Sequence, residues 1–97
     1  MPAKFTLQFR RKALLTIETA ADWFQEKQPG LEISFLKDIN SAVEFIRKNP
    51  EKTQTRYKNV RIKFLKKFNF GIHYIYENNA IFILVVFHTS QSPDKWD

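Results

Sequence analysis

The chain lacks cysteine altogether, and among its 97 residues it has only two glycines and four prolines. Without cysteine there is no disulfide framework, no thiolate zinc site and no thiol nucleophile; a small domain of this kind suits a reducing cytosol. Gly30 and Gly71 stand far apart, which excludes a glycine-rich phosphate loop. The two histidines, His73 and His88, have no paired carboxylates at ligand spacing, so neither a metal nor another cofactor is expected. No Ser/His/Asp arrangement stands out. Apolar runs are short as well. The longest, Ala80 to Phe87, has the length of a strand, and Met1 to Arg10 contains no signal-peptide core, so no membrane segment is expected.

What is present fits one domain spanning residues 1–97. Aromatic residues make up 15% of the chain, ten of them Phe. Each ring buries about 150–250 Å², which compensates for a mean hydropathy of −0.42. The net charge is +6, and the pI near 9.7 favours an anionic partner. Charge is also segregated. Six of the ten acids lie between Glu18 and Glu44, whereas nine basic residues between Arg47 and Lys67 are opposed only by Glu51. A basic face is the expectation.

Hydrophobic periodicity lays out the elements. Residues 4–9 alternate, with Phe5, Leu7 and Phe9 against Lys4, Thr6 and Gln8, as in a half-buried strand. Leu14, Ile17, Ala21 and Phe24 then recur at helical spacing. Arg10, Arg11 and Lys12 crowd the positive end of that helix, at about 0.3–1 kcal/mol each unless they point into solvent. Gln28-Pro29-Gly30 makes a tight turn, and Phe35, Leu36, Ile39, Ala42, Val43 and Ile46 form the stripe of a second helix. That helix stops before Asn49-Pro50. Residues 49–59 read as a polar, basic loop. A period of two follows: Val60, Ile62 and Phe64 oppose Arg61 and Lys63, and Phe68 to Tyr76 alternates in the same way. Ala80 to Phe87, apolar on both faces, reads as an interior strand, and Asn78-Asn79 as its hairpin turn. The predicted fold is α+β: a helical hairpin packed on a mostly antiparallel four-stranded sheet, in the order β-α-α-β-β-β.

The candidate site lies in the basic stretch. Arg61 and Lys63 project from the face opposite Val60 and Ile62, beside the Arg56-Tyr57-Lys58 segment, with Lys66 and Lys67 close in sequence. Guanidinium and ammonium groups bind phosphate, and Tyr57 offers a stacking ring or a phenol. A solvated edge strand guarded by charge would look the same. His88 closes the last strand, a candidate general acid or base or a structural residue. Trp23 and Phe24 adjoin, and at least one belongs in the core. Trp96 is read as an anchor for the polar tail.

Taken in order, several pieces resemble the RelE/ParE toxin superfamily, and within it the ParE-like, plasmid-stabilisation branch. They are Ala20-Ala21-Asp22-Trp23-Phe24, Gln28-Pro29-Gly30-Leu31, Phe35 with Ile39, Ile46, Asn49-Pro50, Tyr57, Val60-Arg61, Phe68 through Tyr76, and His88 followed by Pro93-Asp94-Lys95-Trp96. The resemblance implies the toxin of a bacterial toxin–antitoxin system, neutralised by a cognate acidic antitoxin protein. It implies one of two targets: DNA gyrase for ParE-like members, without hydrolysis, or mRNA in the ribosomal A site for RelE-like endonucleases. In the second case Arg61, Lys63, Tyr57 and His88 would be catalytic. In either case Arg56, Lys58, Arg61, Lys63, Lys66 and Lys67 would bind the partner or target. Relatives of the nuclease branch commonly carry Arg after the histidine, where this chain reads Thr89-Ser90-Gln91-Ser92. That departure weakens the nuclease reading and any claim of full toxicity; it favours the gyrase branch, with a degenerate member that keeps only antitoxin binding as a further alternative.

Overall fold

A computed structural model of the chain describes residues 6–90. The elements in chain order are β1 (Thr6–Phe9), α1 (Arg11–Lys27), α2 (Leu31–Lys48), β2 (Thr55–Tyr57), β3 (Val60–Phe64), β4 (Phe70–Glu77) and β5 (Ala80–His88). Both helices lie on one side of a single sheet ordered β1-β5-β4-β3-β2. The β1–β5 pairing is parallel and the other three are antiparallel. The expected α+β, two-layer architecture is present, with one strand more than predicted.

The extra strand is β2, inside the stretch expected to be a loop. Tyr57 pairs with Val60 across a two-residue turn in which Lys58 takes a positive φ of 49°. Such turns favour Asn or Gly at that position, so Lys58-Asn59 carries little signal in the sequence. The second hairpin was legible. Asn78 and Asn79 both adopt positive φ, as the favoured two-residue turn demands, and Glu77 pairs with Ala80 across them.

The core lies between the helices and the sheet. Ala13, Ala20 and Phe24 of α1 and Phe35, Ile39, Ala42, Val43 and Ile46 of α2 pack on Ile72, Tyr74, Ile81, Ile83 and Val86. Aromatic rings join the layers. The Phe24 centroid lies 5.0 Å from that of Phe35 and 4.9 Å from that of Phe68, and Phe35 meets Phe70 at 5.2 Å. Aromatic pairs at these separations contribute about 0.5–1.5 kcal/mol each beyond their buried area. Two residues assigned to the helical stripes fall outside the core: Leu14 and Leu36 are exposed. Each adjoins its buried stripe, which runs through Ala13, Ala20 and Phe24 in α1 and through Phe35, Ile39 and Ile46 in α2.

Alternation in β3 holds, but with the opposite sense to the one that places its apolar residues in the core. Arg61 pairs with Tyr74 and Lys63 with Ile72, whereas Ile62 pairs with His73 and Phe64 with Gly71. Directly paired residues share a face. Arg61 and Lys63 therefore turn toward the helices, and Val60, Ile62 and Phe64 lie on the other face. Gly71 is required there: a Cβ on it would come within 2.7 Å of Ile62 Cγ2 and 3.3 Å of the Phe64 ring. The start of α1 also departs from expectation. Arg10, Arg11 and Lys12 are exposed, yet the Arg10 guanidinium rests 4.6 Å over Phe82 and the Lys12 ammonium 5.8 Å over Phe87. Attraction to the rings offsets the unfavourable helix-end electrostatics. Trp96 and the Pro93-Asp94-Lys95 stretch lie outside the described residues.

Candidate functional site

The basic residues of the Arg47–Lys67 stretch do not gather on one face. Arg61 points toward the helix layer and closes the loop after α2: its Nη1 donates to the Thr53 carbonyl and, at 3.2 Å, to that of Glu51. Tyr74 ties down the same loop, its hydroxyl donating to the Pro50 carbonyl at 3.1 Å. Burial raises the Tyr74 pKa, partly opposed by the Thr53 side chain and the charge of Arg61. Lys63 lays its ammonium 4.1 Å over the Phe45 ring of α2. Arg56 stands on the opposite face, 5.4 Å over Phe64. Arg47 pairs with Glu44 one turn back on α2, an exposed pair worth little.

Tyr57 and His73 meet on the helix-free face. The Tyr57 hydroxyl is hydrogen-bonded to His73 Nδ1 at 3.0 Å, and the His73 ring sits edge-on to Phe87 at 5.3 Å. His73 is only 1% exposed, and burial lowers its pKa from 6.5 to about 4. It is neutral at pH 7. His88 lies elsewhere, at the end of β5. Its Nδ1 accepts the Ser90 N–H at 3.0 Å and lies 2.7 Å from Ser90 Oγ, a local two-residue contact. Its ring packs edge-on to Phe70.

The four residues named as a catalytic set are thus separated. Arg61 and Lys63 share the helix side, while Tyr57 faces the other way. His88 pairs with Phe70, two strands across and two residues along from Lys63, a separation on the order of 12 Å. Lys66 and Lys67 occupy the β3–β4 loop, where a residue not singled out from the sequence holds them. Asp38 of α2 is buried, and its carboxylate accepts the Lys67 N–H at 2.8 Å and the Lys66 N–H at 3.4 Å. The only sequence signal for this role was an acid inside an apolar helical stripe.

A feature the sequence reading missed is a groove of about 780 Å³ between α1 and the end of the sheet. Leu15, Thr19 and Trp23 form one wall, and Phe68, Phe70 and His88 the other. Trp23 is 53% exposed and Leu15 49%, although the adjoining Phe24 is buried. Among the described residues β1 pairs with Ala80 to Ile83, and beyond Ile83 the edge of β5 faces α1. Thr16 Oγ1 fills part of the gap by accepting the Val86 N–H at 3.1 Å. A smaller hollow of about 310 Å³ beside α2 is bordered by Asp38, Phe45, Lys48 and Lys63. Among the described residues no group of three or more His, Asp or Glu is placed to hold a metal, and no helix is long and apolar enough to cross a membrane.

Among solved structures, the chain is similar to one from the chromosomal ParDE TA system of P. aeruginosa, with a TM-score of 0.79 and 18% sequence identity. The alignment covers 92% of this chain and 100% of that one. At that identity the likeness establishes a common fold. No family model matches the sequence, and no curated protein matches it.

Proposed function

We propose that the chain is the toxin component of a bacterial type II toxin–antitoxin system, of the ParE-like type. In this reading it acts in the cytoplasm on DNA gyrase and is held inactive by a cognate acidic antitoxin. The observation that carries the reading is the likeness to a chain of a ParDE system across the full length of that chain. The net charge of +6 is the complement an acidic antitoxin requires.

A ribosome-dependent nuclease would need Arg61, Lys63, Tyr57 and His88 around one phosphate, because transition-state charge is stabilised only by groups aimed at it. Tyr57 lies on the face opposite Arg61 and Lys63, and His88 stands two strands across from Lys63; that separation is why gyrase inhibition is preferred. Induced expression in bacteria is expected to arrest growth, and the purified protein to inhibit gyrase supercoiling or trap gyrase–DNA breaks. Growth arrest with unaffected gyrase and mRNA cut during translation would transfer the assignment to the nuclease branch. Unimpaired growth at high expression would leave a fold without toxicity.

A further inference from the structure

We infer that the smaller hollow, between α2 and β3, binds the phosphomonoester of a sugar, either free or at the end of a nucleic-acid strand. The inference is independent of the toxin reading. Three lysines reach the hollow from three elements: Lys48 from the last turn of α2, Lys63 from β3 and Lys66 from the β3–β4 loop. Among the described residues none of these ammonium groups has a carboxylate within ion-pair distance. The two acids on the border are committed elsewhere. Asp38 accepts the Lys66 and Lys67 N–H groups, and Glu44 pairs with Arg47 at 3.5 Å. Counting Arg47, four cations stand against two acids, which leaves two positive charges around one cavity. They repel one another until an anion answers them.

Charge selects a phosphomonoester over a carboxylate, because it brings close to two negative charges and lysine binds phosphate as a point charge. The end of α2 would oppose an anion, since the last helix carbonyls carry partial negative charge. Asn49 counters that field. Its backbone N–H donates to the Phe45 carbonyl at 2.8 Å, and its Nδ2 donates to the same oxygen at 3.2 Å. Lys63 is positioned without a carboxylate, its ammonium lying 4.1 Å over the Phe45 ring. Size and polarity select the rest of the ligand. A volume of about 310 Å³ lies at the small end of the range for ligand pockets, about 300–1,000 Å³. The Ser41 hydroxyl and the Asn49 amide stand on the border, and both exchange hydrogen bonds with sugar hydroxyls.

The test titrates the full chain, by calorimetry and NMR, with glucose 6-phosphate, AMP and a short 5′-phosphorylated DNA strand. Glucose, adenosine and the same strand without its terminal phosphate are the controls. A phosphorylated probe is expected to bind saturably, one per chain, more weakly as salt rises, and to move the amide signals of Ser41, Lys48, Asn49 and Lys63. Its control should not bind. Binding by glucose 6-phosphate or AMP would assign the site to a free sugar phosphate, and binding by the phosphorylated strand alone to a strand end. Lys48→Gln with Lys66→Gln, both on exposed positions that the fold tolerates, should weaken binding by at least about tenfold. Arg11→Gln with Lys52→Gln removes the same charge elsewhere and should change it by less than about twofold. Equal weakening by the two pairs, equal binding of probes and controls, signal changes spread along the whole basic stretch, or no saturable binding of any probe would each overturn the inference.

Discussion

The two flanks of the helical layer use similar residues to opposite ends. Beside α2, a lysine over an aromatic ring, a buried carboxylate and an arginine on loop carbonyls narrow the gap between helix and sheet to a hollow of about 310 Å³. Beside α1, lysines also lie over aromatic rings, but the trough between them stays open and its walls are apolar. The difference lies in where the polar groups end. On the α2 flank they meet backbone donors and acceptors of this chain, so they contribute to stability. On the α1 flank, Leu15 and Trp23 stay about half exposed among the described residues.

If that contrast is right, the largest losses of stability should come from the buried layer between helices and sheet, not from the exposed wall of the groove. Phe35 is fully buried and touches Phe24, Phe68 and Phe70. Phe35→Ala should cost about 3–5 kcal/mol through lost burial and the cavity left behind, which for so small a domain is much of the total. Urea denaturation measures it. A loss below about 1 kcal/mol would mean that the aromatic cluster repacks freely and is not the joint between the layers.

Asp38 comes next. Asp38→Ala leaves the Lys66 and Lys67 N–H groups without their buried acceptor, and charge-assisted bonds of this type are worth about 1.5–3 kcal/mol. Asp38→Asn keeps one acceptor oxygen and should lose clearly less. Equal losses in the two variants would show that side-chain volume, not hydrogen bonding, sets the role of Asp38. Amide exchange at Lys67 separates the cases directly, since it should accelerate in the alanine variant.

A third test extends the contrast to the helix-free face, which is also closed where Tyr57 meets His73. Between pH 6.5 and about 4 the unfolded chain takes up a proton on His73 that the folded chain refuses. Stability is therefore fully present above pH 6.5 and falls as pH drops through that window, by about 2 kcal/mol between pH 7 and pH 5. His73→Phe should be less stable at pH 7, through the loss of the Tyr57 bond, but should lack this slope. An NMR titration that finds His73 protonating near pH 6.5 in the folded chain would remove the effect.

Much of the architecture was legible because its signals are local. Helical spacing, the Pro29-Gly30 turn and the Asn78-Asn79 hairpin each act within a few residues, and the order of elements follows from them. The sense of β3 was not legible. Alternation says that Val60 and Ile62 oppose Arg61 and Lys63, but not which pair faces the helices; that depends on pairing with β4 and on the loop carbonyls that Arg61 finds. The candidate site failed to assemble for the same reason. The run of cations is divided between the two faces of the β2–β3 hairpin, Arg56 over Phe64 and Lys63 over Phe45, and the loop that follows it. Trp23 was visible as a residue at the edge of the core, yet the groove it borders needs Phe68 and His88, some 45 and 65 residues away, to exist.

The smallest expected effect is the most informative about the open flank. Leu15 is half exposed and forms a wall of the groove without belonging to the core. Leu15→Ser should change stability by no more than about 0.5 kcal/mol, as surface substitutions usually do, although a change of the same kind at a buried leucine costs several times more. Thermal unfolding of the isolated chain checks this. A loss of about 2 kcal/mol or more would mean that Leu15 is already covered by another part of this same chain. The α1 flank would then be a second closed region, and the contrast between the two sides of the helical layer would vanish. A neutral result, together with lower solubility for the parent than for the serine variant, would show the apolar wall exposed in solution.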